Sequence, residues 1–164
     1  MTSSKSGFGK RRAPLRKNLA IAFLAVSALG FADATYLTVK HYQGSLPTCN
    51  FLRGCNTVLT SQYATVGPVP ISLAGSLYYL AIFLLVFGYI DSGRVLLLRL
   101  AAYLTWTGFL VSLWLLYLQV AVLRSLCEFC IFSGVTATLL FVLGVMALQK
   151  SQSAPEAAEI AEGR

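Results

Sequence analysis

Four apolar runs, at 18–39, 71–90, 97–123 and 126–148, constrain this chain more than any other feature. Each has about the twenty residues that an α-helix needs to cross a hydrocarbon core roughly 30 Å thick. A soluble helical bundle would carry polar stripes at helical period, and these runs carry almost none. Charged residues are only 12% of the chain and crowd into its two ends and the short joints between runs. The pattern predicts an all-α membrane protein, a bundle of four transmembrane helices over residues 18–148. The basic segment 1–17 and the Ala- and Glu-rich segment 149–164 read as disordered, which leaves no room for a second folded domain.

The basic residues set an orientation. With the N-terminus in the cytoplasm, Lys5, Lys10, Arg11, Arg12, Arg16, Lys17, Arg94, Arg99, Lys150 and Arg164 stay inside, and only Lys40, Arg53 and Arg124 lie outside. That bias puts both termini in the cytoplasm and turns the loop 40–70 and the joint at Arg124 outward. The net charge of +7 is accounted for by this flanking cluster, so nucleic acid is not an expected partner. The first run also has the layout of a signal peptide, with Ala32-Asp33-Ala34 as a cleavage-like site, but its apolar pattern continues through Tyr36, Leu37 and Val39.

In this topology all four cysteines share the outer side, where disulfides persist. Cys49 and Cys55 lie in the loop; Cys127 and Cys130 open the fourth run in the stretch LCEFCIF. Two inert disulfides or a Cys₄ zinc site are the plain readings. The zinc reading fits poorly, because ligand pairs favour shorter spacings than C-x₅-C. A structural bridge inside C-x-x-C would close too small a loop to stabilise much, whereas C-x-x-C is a common redox pair. Ser125-x-x-Glu128 matches a capping box, which predicts Ser125 as N-cap and Cys127 at the second helical position, where free N–H groups and the helix dipole favour a thiolate. Cys130, one turn deeper, faces lipid-soluble molecules. Such a pair suits electron transfer from a protein disulfide system to a quinone. The loop pair, set among Gly, Pro, Ser and Thr, has the mobility that thiol–disulfide exchange needs.

The order of these features resembles the vitamin K epoxide reductase family, particularly its bacterial members. Cys49 and Cys55 come first, then Ser61, then a helix opening at PVPISLAG, then Cys127-x-x-Cys130 at the start of the last helix. The resemblance covers 18–148 and implies four helices around a quinone of ubiquinone, menaquinone or vitamin K type, with the outer loop capping the site. It implies that Cys49 exchanges with a reduced thioredoxin-like partner, that Cys55 passes electrons to Cys127, that Cys130 stands beside the quinone, and that Ser61 orients the loop or substrate. It further implies a multi-pass protein of the inner (plasma) membrane, with its cysteines on the periplasmic side, supporting disulfide formation in exported proteins. Bacterial members often carry a fused thioredoxin-like domain; this chain ends after its fourth run, so the expected partner is a separate polypeptide. Vertebrate members have a tyrosine where this chain has Gly134 and an asparagine where it has Ile71, which weighs against vitamin K epoxide as the substrate.

Other residues admit two readings each. Asp33, a carboxyl inside a membrane run, suits a proton relay to the quinone or a bond to a neighbouring Tyr or Thr. Gln119 suits a quinone carbonyl or an interhelical hydrogen bond. His41 reads as interfacial, Arg53 as a solvated charge, and Tyr78, Tyr79 and Tyr117 as either pocket lining or packing. Gly75, Gly108-x-x-x-Ser112 and Ser72-x-x-x-Ser76 read as close helix contacts.

Overall fold

The computed structural model describes residues 14–45, 47, 49 and 54–162, with side chains described from Asn18 to Gln149 except in the loop residues left out. Arg53 and the basic residues before Pro14 lie outside the described residues. Among the described residues five α-helices follow one another: α1 (Pro14–Tyr42), the short α2 (Cys55–Leu59), α3 (Ile71–Ser92), α4 (Val95–Tyr117) and α5 (Glu128–Glu162). Four of them hold stretches long and apolar enough to cross a membrane: Asn18–Tyr42, Ile71–Ser92, Val95–Val122 and Glu128–Gln149. The predicted runs match these within a few residues.

α1 begins at Pro14 and α5 continues to Glu162. Proline is tolerated at a first helical position, and the segment after 149 is rich in Ala and Glu, which favour helix.

Each long helix meets two others: α1 packs on α3 and α5, and α4 packs on α3 and α5, closing a ring of four. Phe23, Tyr79, Ile82, Val86, Ala101 and Leu140 are buried between them. Side chains such as Leu77, Leu84, Phe87, Leu110 and Trp114 point outward and exposed, as a lipid-facing surface requires. Small residues set the spacing. The Cβ that Gly75 lacks would sit 3.6 Å from Ala34 Cβ on α1, and Thr38 on α1 donates to the Ser72 hydroxyl on α3 over 3.1 Å.

The joints decide where the functional end lies. Gly93, with φ +68°, ends α3 in a left-handed cap whose N–H bonds to Tyr89 O at 2.9 Å, and α4 starts two residues later. At the opposite end of the bundle, α1 leads into the cysteine loop. There α2 is followed by a small antiparallel hairpin of β1 (Thr65–Val66) and β2 (Val69–Pro70) that delivers the chain to α3. α4 runs into one π-helical turn, Leu118–Val122, and Arg124, at φ +48°, reverses the chain toward α5. All four cysteines therefore gather at one end of the bundle.

Candidate active site at the cysteine end of the bundle

Cys127 begins α5 in a different way from the capping box. The first helical residue is Glu128, and the Cys127 carbonyl accepts the first helical bond, from Ile131 N–H at 3.0 Å. Cys127 is thus the N-cap itself, two positions later than Ser125. Two bonds from the π turn cause the shift. Gln119 O accepts from Ser125 N–H at 3.0 Å, and Gln119 Oε1 accepts from the buried Cys127 N–H at 3.0 Å. Ser125 and Cys127 are thereby held against the end of α4, and the helix can open only after them. An N-cap side chain faces the free N–H groups of the first turn. The Cys130 thiol hydrogen-bonded to Cys127 lowers the Cys127 pKa most; burial opposes this, the Cys130 and Phe129 backbone N–H groups add to it, and the Asp33 charge opposes it slightly. The net result is a thiol brought down from its ordinary value to about 7.

The loop brings the second pair to this thiol. Cys49 and Cys55 are joined as a disulfide, and Cys127 and Cys130 are free. Cys55 opens α2, and Gly54 just before it lies directly on the backbone of Leu126. A Cβ at position 54 would come within 2.5 Å of Leu126 O and 2.7 Å of Leu126 N. Only a glycine permits that approach, and it places Cys55 and Val58 over Cys127 in one buried cluster, with Cys49, Leu123 and Cys130 packed around it. Cys127 has no exposed surface. Ser61, just past α2, donates its hydroxyl to Val58 O at 2.7 Å and so fixes the exit of the short helix.

Below the cysteines the ring of helices forms a partly open cavity of about 300 Å³. That is at the small end of the range of roughly 300–1,000 Å³ for small-molecule sites. The cavity reaches Cys130, Ser61, Gln119, Asp33, Tyr78 and Tyr79, and Pro47 of the loop with Val58 and Leu59 of α2 also line it. Its wall is mostly apolar. Tyr79 is anchored: its hydroxyl donates to Ser133 O at 2.9 Å and also meets Ser133 Oγ at 3.1 Å and Thr136 Oγ1 at 2.9 Å, tying α3 to α5 one turn beyond Cys130. Tyr78 and Asp33 each present a buried oxygen with no hydrogen-bond partner among the described residues. Position 134 is open, since a Cβ there would meet nothing within 4 Å. A flat, apolar ring carrying carbonyl oxygens suits such a lining.

The family model described as "Vitamin K epoxide reductase family" matches residues 21–145, most of the chain and all four spans. The chain belongs to the vitamin K epoxide reductase family. A search of curated proteins finds no match. Family membership makes it a multi-pass membrane oxidoreductase of a family that uses quinones or vitamin K.

Within this reductase fold, the residues singled out from sequence fall into two groups. Cys49, Cys55, Cys127, Cys130 and Ser61 converge on the capped end. Gln119 borders the cavity, yet its carbonyl oxygen is engaged by the Cys127 N–H, so it is the interhelical bond and not the free carbonyl ligand that the structure displays. His41 is exposed at the cavity mouth with its ring against Tyr42, and Tyr117 is exposed outside the cavity, stacked with Trp114. The role of Gly54 is visible only in the packed structure, since nothing in the sequence sets it apart from Gly44 and Gly67 of the same loop. Among the described residues no three His, Cys, Asp or Glu side chains are grouped to hold a metal ion.

Proposed function

We propose that this protein takes electron pairs from the dithiol of a separate thioredoxin-fold protein and passes them through its two cysteine pairs to a membrane quinone, supporting disulfide formation in exported proteins. The observation that carries the reading is the single buried cluster in which the Cys49–Cys55 disulfide rests on Cys127, while Cys130 leads from that cluster to the cavity wall. The positive-inside bias of the sequence supports an inner-membrane orientation with this end on the periplasmic side.

The steps balance as two-electron exchanges. A partner thiolate attacks Cys49; the Cys49–Cys55 bond breaks and Cys55 leaves as a thiolate. The partner's second thiol closes its own disulfide and releases Cys49. Cys55 then attacks Cys127 of an oxidised Cys127–Cys130 pair, and Cys49 resolves that mixed disulfide, which restores Cys49–Cys55 and leaves Cys127 and Cys130 reduced. The quinone supplies the acceptor for two electrons and two protons. Cys130 faces it, and the Cys127 thiolate, stabilised at its helix start, closes onto Cys130 as those electrons leave. Ser61 holds α2 in register, and the apolar wall keeps water from the exchange.

Quinone absorbance tests the reading. Purified, detergent-solubilised protein is mixed with a small dithiol and a water-soluble quinone, and the Cys130→Ser variant, run in parallel, subtracts direct chemistry between them. Faster quinone loss with the unaltered protein is expected. Identical traces from two folded proteins would reduce the cysteines to structural bridges.

A further inference from the structure

Four buried side-chain oxygens lack a hydrogen-bond partner among the described residues: Asp33 Oδ2, Thr35 Oγ1, Ser45 Oγ and the Tyr78 hydroxyl. Unpaired polar groups destabilise a fold, so each asks for an explanation. Asp33, Ser45 and Tyr78 line the cavity; Thr35 does not. Ser45 sits in the loop above, whereas Asp33 and Tyr78 come from α1 and α3 and line the same cavity as Cys130, their two oxygens buried in its wall.

Tyr78 and Tyr79 make a controlled comparison. They are neighbours in sequence, their rings meet edge-to-face at 5.2 Å, and both reach the cavity. Tyr79 spends its hydroxyl on Ser133 and Thr136, while Tyr78 leaves its hydroxyl unpaired. Gly108 on α4 keeps that arrangement possible, because a Cβ there would overlap the Tyr78 hydroxyl. The chain thus makes room for a buried hydroxyl that forms no hydrogen bond among the described residues. Asp33 repeats the pattern on α1: a carboxyl inside a membrane span is costly, and such groups face functional cavities. A phenol and a carboxyl, the latter as the acid, each offer an O–H to an acceptor atom in the cavity.

We propose that Asp33 and Tyr78 are the polar contacts of the electron acceptor, donating hydrogen bonds to the carbonyl oxygens of a ring held against Cys130. This rests on the quinone-linked reading above and adds the residues that recognise the ring. Ligands without a carbonyl acceptor would leave both groups unpaired and bind less well for that reason.

The test measures binding and stability as well as turnover. Equilibrium dialysis of a short-chain benzoquinone against the detergent-solubilised full chain gives Kd. KM and kcat come from the dithiol assay, and thermal unfolding without quinone gives stability. Tyr78→Phe and Asp33→Leu should each raise Kd and KM about tenfold, as losing one hydrogen bond to a desolvated ligand does. Asp33→Asn, whose amide can still donate, should stay within about threefold. Neither Tyr78→Phe nor Asp33→Leu should lower the unfolding temperature, because no internal bond is lost. Unchanged Kd in both variants overturns the inference, and so does a loss of folding or a lower unfolding temperature in both, since that would make the groups structural. If the unaltered protein turns over quinone and the variants bind normally, only this inference fails. If the unaltered protein is inactive, the quinone-linked reading fails and this inference with it.

Discussion

Replacing Gly54 with alanine isolates the contact that couples the two cysteine pairs. The backbone at 54 is unexceptional, with φ −85° and ψ −5°, so alanine meets no conformational penalty there and only the neighbour matters. Its Cβ would stand 2.5 Å from Leu126 O, 2.7 Å from Leu126 N and 3.0 Å from Leu126 C. Carbon and carbonyl oxygen settle at about 3.3 Å or more, so α2 must withdraw by about 0.8 Å. The obstacle is backbone held by the Gln119 bonds and cannot swing aside as a flexible side chain would. Overpacking of this kind costs about 1–3 kcal/mol of stability. A misplacement near 1 Å costs about 100-fold in a reaction that depends on alignment. Gly54→Ala should therefore slow quinone reduction driven by a thioredoxin-fold dithiol protein about 100-fold. Turnover driven by a small dithiol should hold or rise, because lifting α2 uncovers Cys127, which is fully buried otherwise. The assay is quinone absorbance with each donor in turn. Equal rates for variant and unaltered protein with the protein donor would refute the coupling, as would equal losses with both donors.

Other substitutions separate anchoring groups from reacting ones. Gln119→Leu strips the buried Cys127 N–H of its acceptor and should cost about 1–3 kcal/mol, read as a lower thermal midpoint, while Gln119→Glu should recover most of it. Tyr79→Phe removes the contacts to Ser133 and Thr136 and should destabilise by about 1–2 kcal/mol, in contrast to the neighbouring Tyr78→Phe. The Cys127 thiol, lowered to about 7, should show thiolate absorbance rising with a midpoint there while Cys49–Cys55 stays oxidised. Because this pKa is depressed in the folded state, its contribution to stability is present above the ordinary thiol value and is lost as pH falls through about 7. Cys130→Ala removes the largest cause and should move the midpoint upward; an unmoved midpoint would assign the shift to the backbone N–H groups instead.

The four spans, the all-helical class and the gathering of both cysteine pairs at one end were legible because each follows from local composition. About twenty apolar residues cross a bilayer wherever they occur, and a disulfide-type pair lies in the loop that its flanking helices define. The resemblance to the family rested on the same linear features, and the family match over residues 21–145 agrees with it. The start of α5 was not legible. Ser125-x-x-Glu128 satisfies a local rule, but Gln119, at the end of the preceding helix, takes the Cys127 N–H and moves the cap to the cysteine. Local capping chemistry is worth about 1 kcal/mol, and a buried bond from another helix outweighs it.

What only the tertiary structure decided is which polar atoms are left over. From the sequence, Asp33 and Gln119 were candidates for contact with the quinone or for a plain hydrogen bond, and Tyr78 and Tyr79 for pocket lining or packing. The packed helices use Gln119 to hold Cys127 and Tyr79 to hold α5, and leave a buried oxygen of Asp33 and of Tyr78, both cavity-lining residues, without a partner among the described residues. Gly54 likewise became meaningful only when Leu126 lay against it. Apolar length is a property of each segment alone and can be read along the chain. Hydrogen-bond satisfaction and close backbone approach are properties of pairs of segments, and they exist only after the helices have met.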